Sequence, residues 1–210
     1  MLDPGQGEHA AVIPTAAIPR LGEGEPIVLD GVLGPEVSAA VRAAVLEARA
    51  RGELRPAGLG RDRQRREQLR SDHIAWIDPE AADPRLRPLL ERFAALKEQL
   101  DREAWLGLRR FEVQLAAYDE GPGYVRHADA FRGGGTRRVT AIYYANPGWS
   151  PADGGQLRCW PPSGPMPSGP MVIEPLEDRM VVFLSERLEH EVAAVHRGPR
   201  VAVTAWLWGP

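Results

Sequence analysis

The chain is poor in the features that define several other classes of protein. Cys159 is the only cysteine, so no internal disulfide can form and a reducing compartment is favoured. No apolar run approaches the length of a bilayer span, and residues 1–20 lack a basic region followed by an apolar block. The formal net charge of -3 gives no reason to expect nucleic acid or an anionic membrane as a partner. We therefore expect a cytoplasmic protein.

Lysine is almost absent as well. Lys and Arg together number 26, and Lys97 is the only lysine among them. This bias, in a chain with many alanines, glycines and prolines, favours a GC-rich, bacterial genome. The 210 residues are 43% hydrophobic and 26% charged, which is typical of a globular protein with one substantial core.

Two helices are predicted in the first half of the chain. Apolar residues recur at helical spacing over 35–50 and again over 84–104, where Asp83 is a plausible N-cap. Residues 1–25 are rich in Gly, Pro, Ala and Glu and have no periodicity, so we expect a flexible arm. A single domain over 26–210 then follows.

The second half has the pattern of a β protein. From residue 111 onward, short runs rich in β-branched and aromatic residues alternate with Gly, Pro and Asp turns. This favours a sandwich or barrel over 111–210, supported by a helical part over 26–110. The Gly/Pro-rich segment 161–170 is typical of a surface loop. The Arg-rich segment 55–70 is read either as a solvated mobile loop or as a lid that closes over a substrate.

Three residues of the β half suggest a metal site. His127 and Asp129 form a His-x-Asp motif, and an extended strand would place both side chains on one face. His190 supplies a second imidazole. Two imidazoles and one carboxylate form the facial triad of non-haem Fe(II) oxygenases, which leaves open coordination positions.

Arg200 suggests a second component of the same site. Its planar guanidinium suits a carboxylate, and an inward-pointing arginine in a β-barrel needs an anion partner. By strand alternation Thr204 and Trp206 would line the same cavity.

Tyrosines complete the predicted pocket. One of Tyr143 and Tyr144 must point into the barrel, and we expect Tyr144, because its phenol would join Arg200 at the same carboxylate while Ile142 forms a wall. Tyr118 could also reach in.

The other histidines have no partners at metal-ligand spacing. His9 lies in the predicted arm, His73 beside the helical part and His196 in a turn. We treat all three as surface or structural residues.

Several segments together resemble the hypoxia-inducible-factor prolyl hydroxylases and their bacterial relatives, which are 2-oxoglutarate- and Fe(II)-dependent oxygenases. The likeness covers about residues 26–208 and is carried by YVRHAD, VTAIYYANPGW, GGQLR, IEPLEDRMVVF, HEV and RVAVTAW. It implies a mainly β fold, a double-stranded β-helix (jelly-roll) core with supporting N-terminal α-helices. It implies iron ligation by His127, Asp129 and His190. The residues that it implies around 2-oxoglutarate are Arg200, Tyr144, Tyr118, Ile142, Leu157, Thr204 and Trp206.

The resemblance also implies an activity. A prolyl 4-hydroxylase-type dioxygenase would use Fe(II), 2-oxoglutarate and O2, with ascorbate as a further cofactor, and would act as a monomer on a protein substrate. The bacterial relatives make elongation factor Tu the leading candidate. The 161–170 loop is expanded relative to the animal enzymes, so free proline or a peptide natural product stays open as an alternative substrate. A non-catalytic binding module on the same fold is the remote alternative.

Overall fold

The structure is a computed structural model that describes residues 11–57, 70–130, 137–162 and 169–210. Its α-helices in these ranges are α1 (Ile18–Gly22), α2 (Pro35–Ala50) and α3 (Arg87–Ala104). None of the helices in the described ranges is long and apolar enough to cross a bilayer.

Seven strands form a large antiparallel sheet. They comprise β1 (Ile27–Asp30), β2 (Arg55–Pro56), β3 (Asp72–Ile77), β4 (Arg110–Tyr118), β6 (Arg137–Tyr144), β9 (Arg179–Leu184) and β11 (Arg200–Trp208). Their order across the sheet is β1, β9, β6, β11, β4, β3, β2.

Four shorter strands form a second antiparallel sheet. They comprise β5 (Tyr124–His127), β7 (Leu157–Trp160), β8 (Met171–Ile173) and β10 (Glu189–Val192). Their order is β5, β10, β7, β8.

The large sheet separates two layers. On one face, alternate residues of β4, β6 and β11 pack against α2 and α3 in one hydrophobic core, with Phe93 and Leu96 of α3 fully buried. The opposite face packs against the small sheet, where Leu157 and Cys159 meet Ile142 and Phe183. Burial of each large apolar side chain contributes about 1.5–3 kcal/mol, so the buried side chains of both layers stabilise the packing. The fold is thus mainly β, a jelly-roll core with helices on one side.

The predicted helices are found with small changes. The first spans Pro35–Ala50, as the spacing predicts. The second begins with a 3-10 turn over Pro84–Leu86, and the α-helix continues from Arg87. The Asp83 carboxylate accepts a hydrogen bond of 2.9 Å from the backbone N–H of Arg85, which is the predicted cap.

The predicted flexible arm needs a correction where the structure describes it. Residues 15–22 form a 3-10 turn followed by α1, although residues 1–10 lie outside the described ranges. Ile13 and Leu21 are buried in the core beside the helices, and the Gln99 side chain hydrogen-bonds the backbone of Ile13. A few apolar side chains suffice to anchor such a segment, which a composition rich in Gly and Pro does not show.

The first half of the chain also contributes more than helices. Strands β1, β2 and β3 extend the large sheet at its two edges, so the helical support predicted over 26–110 is only part of its role. In the second half, β10 ends at Val192. The next residue, Ala193, donates its backbone N–H to the carbonyl oxygen of Gln156.

Candidate metal and co-substrate site

His127 and His190 face each other across neighbouring strands. His127 is the last residue of β5 and His190 the second of β10, and the two are direct partners in the antiparallel register. Paired residues of adjacent strands project to the same face of a sheet. The two imidazole rings are accordingly 4.4 Å apart between centroids and tilted by 56°.

Asp129 joins the pair from outside the strand. Since β5 ends at His127, the expected same-face alternation of an extended His-x-Asp segment is wrong, and a bend after the strand brings the carboxylate back. Asp129 Oδ1 lies 3.6 Å from His127 Nε2, and Oδ2 lies 3.8 Å from His190 Nε2. One potential ligand atom from each of the three residues lies within 4.8 Å of the others.

Backbone carbonyls orient both imidazoles. His127 Nδ1 is 2.8 Å from the carbonyl oxygen of Val125, and His190 Nδ1 is 3.2 Å from that of Leu188. An Nδ1–H that donates to a carbonyl leaves the Nε2 lone pair free, which is the tautomer a metal requires. Both Nε2 atoms point towards Asp129.

The electrostatics favour the protonation states of metal ligands. Burial alone would raise the pKa of Asp129, but attraction to His190 and His127 and the hydrogen bond from Thr140 outweigh it, so the pKa lies well below its usual value. Burial lowers the pKa of His190, against the attraction of Asp129. Asp129 is therefore ionised, and burial disfavours the charged form of His190.

Arg200 is buried on the opposite wall of the same cavity. Only 3% of it is exposed, and its Nε donates a 2.7 Å hydrogen bond to the carbonyl oxygen of Gly155. The guanidinium carbon lies 4.9 Å from the ring centroids of both Tyr118 and Tyr144. Within the described ranges no carboxylate pairs with Arg200, so the site offers a buried cation to an anionic ligand.

Tyr144 supplies a second polar group beside Arg200. Its ring lies on the cavity side of the large sheet, whereas Tyr143 lies in the helix-side core and donates to Asp178 over 2.9 Å. The Tyr144 hydroxyl is buried and has no hydrogen-bond partner in the part of the chain that the structure describes. Burial raises its pKa to about 12, so it stays a neutral donor. A buried, unsatisfied hydroxyl next to a buried guanidinium fits one carboxylate ligand.

The remaining predicted residues line the same space. Tyr118, Ile142, Leu157, Thr204 and Trp206 border a cavity of about 140 Å³ together with His127, Asp129, His190 and Arg200. The predicted constellation is therefore brought together in one place. His73 and His196 do not border this cavity, and His9 lies outside the described residues.

Several lining residues were not among those predicted. They are Arg70, Trp76, Gln114, Ala116, Tyr124, Arg137, Val192 and Ala202. Strand alternation from Tyr118 could have identified Ala116 and Gln114, and alternation from Arg200 places Ala202 on the same face. No comparable pattern in the sequence marks Arg70, which is one of several arginines in the segment 55–70. Residues 58–69 of that segment, which was predicted to be a mobile loop or a lid, lie outside the described residues.

The donor set fits a non-haem Fe(II) ion. Two imidazoles and a carboxylate border one side of the cavity, and the rest of the cavity leaves space for further ligands. Arg200 has no carboxylate partner and the Tyr144 hydroxyl no hydrogen-bond partner among the described residues, so the two fit the far carboxylate of a keto-diacid that also reaches the metal.

Comparison with known proteins supports this geometry. The sequence pattern of the 2OG-Fe(II) oxygenase superfamily matches residues 113–208. Human prolyl hydroxylase EGLN3 is 32% identical in an alignment of 203 positions that covers 90% of this chain and 80% of that protein. The chain belongs to the prolyl hydroxylase family of 2OG-Fe(II) oxygenases. Membership implies dependence on Fe(II), 2-oxoglutarate and O2.

Other prolyl hydroxylases match to different extents. The hypoxia-inducible factor prolyl hydroxylase of Caenorhabditis elegans is 38% identical in an alignment of 152 positions that covers 66% of this chain but only 20% of that protein. A crystal structure of a Pseudomonas putida prolyl-4-hydroxylase has a TM-score of 0.80 and 33% identity, and covers 93% of this chain and 98% of that one. A Trichoplax adhaerens prolyl hydroxylase, solved with a hypoxia inducible factor peptide, has a TM-score of 0.81 and 28% identity over 91% of this chain and 87% of that one.

Proposed function

We propose that this prolyl hydroxylase modifies a proline of a protein substrate, with Fe(II) held by His127, Asp129 and His190. The single observation that carries the proposal is that these three side chains and the buried Arg200 open onto one cavity. Fe(II) with 2-oxoglutarate would supply oxygen activation and C–H hydroxylation, coupled to conversion of 2-oxoglutarate to succinate and CO2.

Residues around the cavity bind 2-oxoglutarate and shield it from water. Arg200 and Tyr144 bind the distal carboxylate of 2-oxoglutarate, Arg200 through charge and Tyr144 through its free hydroxyl. Ile142 and Leu157 wall the co-substrate and exclude water from it. Thr204 and Trp206 border the same space from β11.

Two findings about relatives support a protein substrate over a free amino acid. The Trichoplax adhaerens neighbour was solved with a peptide fragment bound, and the curated relatives are named as prolyl hydroxylases of hypoxia-inducible factor or of the EGLN group. The resemblance to bacterial members points to elongation factor Tu as the first substrate to test. Dependence on ascorbate, cytoplasmic location, bacterial origin and a monomeric state stay predictions.

The experiment incubates the Fe(II)-loaded protein with 2-oxoglutarate and elongation factor Tu and follows tryptic peptides by mass spectrometry. We expect a gain of one oxygen on a proline, with stoichiometric succinate, and no gain with Asp129→Ala. If instead free proline or small peptides stimulate 2-oxoglutarate turnover while proteins do not, the protein-substrate proposal is overturned in favour of a small-molecule oxygenase. Absence of any 2-oxoglutarate turnover with all substrates would favour the non-catalytic alternative.

A further inference from the structure

A stack of side chains reaches from the start of β3 to His127. The Tyr124 ring lies almost parallel to the His127 imidazole, with 3.8 Å between centroids and 21° between planes. On the Tyr124 ring, the guanidinium carbon of Arg70 lies 4.1 Å from the centroid. Arg70, Tyr124 and His127 thus form three consecutive planar layers.

The outer layer is fixed by a buried ion pair. Arg70 donates to both carboxylate oxygens of Asp72 over 2.6 and 2.5 Å. The Asp72 side chain is 1% exposed and that of Arg70 12%, so the pair is sheltered from water. A bidentate Arg–carboxylate contact fixes the plane of the guanidinium as well as its position. The layer that rests on Tyr124 therefore has little freedom to rotate.

The backbone holds the stack in register. Arg70 and Tyr124 form an isolated antiparallel bridge, and the Ser71 N–H donates 2.9 Å to the carbonyl oxygen of Gly123. Gly123 has φ +79°, and a Cβ there would lie 2.2 Å from the carbonyl oxygen of Val192. Only glycine allows β5 to lie this close to β10, so the stack is built into the backbone and not only into the side chains.

His127 needs this support more than His190 does. Its side chain is 20% exposed, against 4% for His190, which Phe183 also contacts edge-on. The Val125 carbonyl restrains the His127 ring at Nδ1, and the His190 ring contacts it at a tilt of 56°. Tyr124 stacks nearly parallel to the ring and so limits its rotation out of that plane.

We propose that Arg70 and Tyr124 are positioning residues that hold the His127 imidazole in its metal-binding orientation. The inference rests on the proposed function, since it takes His127 as a metal ligand. Neither residue coordinates the metal. Groups that orient a ligating histidine typically change metal affinity about 10–100-fold when they are removed.

Mn(II) binding, measured by isothermal titration calorimetry, tests the role without turnover. Tyr124→Leu removes the stacking plane but leaves the Arg70–Asp72 pair intact, and Tyr124→Phe keeps the plane without the hydroxyl. We expect Tyr124→Leu to bind Mn(II) about tenfold more weakly than wild type and Tyr124→Phe to bind it equally well. Thermal unfolding of both variants shows that the fold is retained.

Arg70→Met tests the outer layer, and the chain offers a matched control. Arg126 adjoins His127 in sequence and stacks on Trp160 at 4.1 Å, but it does not border the cavity. We expect Arg70→Met to weaken Mn(II) binding and Arg126→Met to leave it unchanged. Arg70→Met leaves the Asp72 carboxylate buried without its partner, which can prevent folding. In that case the comparison of Tyr124→Leu with Tyr124→Phe decides the outcome.

The outcomes separate this inference from the proposed function. Wild-type protein that binds no Mn(II) would remove the metal site and the inference with it. Wild-type protein that binds Mn(II), with Tyr124→Leu and Tyr124→Phe of equal affinity, would overturn the inference and leave the proposed function standing. Weaker binding in Tyr124→Leu, restored in Tyr124→Phe, supports it, because a general packing defect would not be rescued by the ring alone.

Discussion

Thr140 on β6 donates its hydroxyl to Asp129 Oδ2 over 2.8 Å. The threonine is fully buried, and its hydroxyl also lies 2.9 Å from Ser185 Oγ. Asp129 lies beyond the end of β5, where no strand pairing holds it, so this bond from the large sheet determines where the carboxylate points. The small sheet supplies the two imidazoles, and Thr140 of the large sheet orients the Asp129 carboxylate towards them.

Thr140→Val should therefore weaken metal binding. Valine has nearly the same shape, so the fold should remain, but the carboxylate loses the donor that orients it. We expect Mn(II) affinity to fall about tenfold, which titration calorimetry measures. Thr140→Ser keeps the hydroxyl and should retain the affinity. Equal affinity in Thr140→Val would show that Asp129 is held by other means.

Gly155→Ala should weaken 2-oxoglutarate binding and spare the metal. A Cβ at Gly155 would lie 2.8 Å from Arg200 Cδ, so the guanidinium must move. Gly148 is a matched control, because it has a similar positive φ (+62° against +70°) and nothing within 4 Å of an added Cβ. We expect the apparent KM for 2-oxoglutarate to rise in Gly155→Ala and to stay constant in Gly148→Ala, with Mn(II) affinity unchanged in both. A KM change of equal size in the two variants would show that backbone strain, and not displacement of Arg200, causes the effect.

Tyr144→Phe should separate stability from binding. The hydroxyl is buried and has no hydrogen-bond partner among the residues that the structure describes, so its removal should leave the free energy of unfolding unchanged or raise it. The same change should weaken 2-oxoglutarate binding by about 1 kcal/mol, roughly fivefold, if the hydroxyl donates to the co-substrate. Urea unfolding and 2-oxoglutarate titration measure the two quantities. Unchanged affinity would remove Tyr144 from the co-substrate site.

Asp83→Ala should lower stability in a pH-dependent way. Two hydrogen bonds from Arg85 lower the pKa of Asp83 to about 2, and the bond from the Arg85 side chain has a larger effect than the bond from its backbone N–H. Because the folded-state pKa is depressed, the contribution is present above the unfolded pKa of about 4 and is lost as the pH falls towards 2. We expect a loss of about 1 kcal/mol at pH 7, typical of an N-cap, that shrinks below pH 4. Urea unfolding at several pH values measures this; a loss that does not change with pH would contradict the ionic role.

Local patterns predicted the elements well because each depends on neighbours in sequence. The 3.6-residue spacing of apolar residues in 35–50 matches α2, and alternation along β11 places Arg200, Thr204 and Trp206 on one face. Both rules follow from the geometry of an isolated element. The resemblance to a family then supplied the functional interpretation, which the residues alone left open.

Such patterns do not predict contacts between elements that are distant in sequence. The bond between Thr140 and Asp129 and the stack of Arg70 on Tyr124 depend on how two sheets face each other, and no spacing rule encodes this. The bend that brings Asp129 back to His127 is not predicted either, because the His-x-Asp spacing indicates a continuous strand. The short anchor around Ile13 was missed for a related reason, since composition averages over the few residues that pack.

The central claim is that His127, Asp129 and His190 bind Fe(II) beside a 2-oxoglutarate site. The most direct test adds 2-oxoglutarate anaerobically to the Fe(II)-loaded protein and records the visible spectrum. We expect the weak charge-transfer band of a chelated keto acid in wild type, its loss in His127→Ala, and a higher half-saturating 2-oxoglutarate concentration in Arg200→Ala. A folded wild-type protein that binds Fe(II) and 2-oxoglutarate without such a band, or a band that persists in His127→Ala, would contradict the claim.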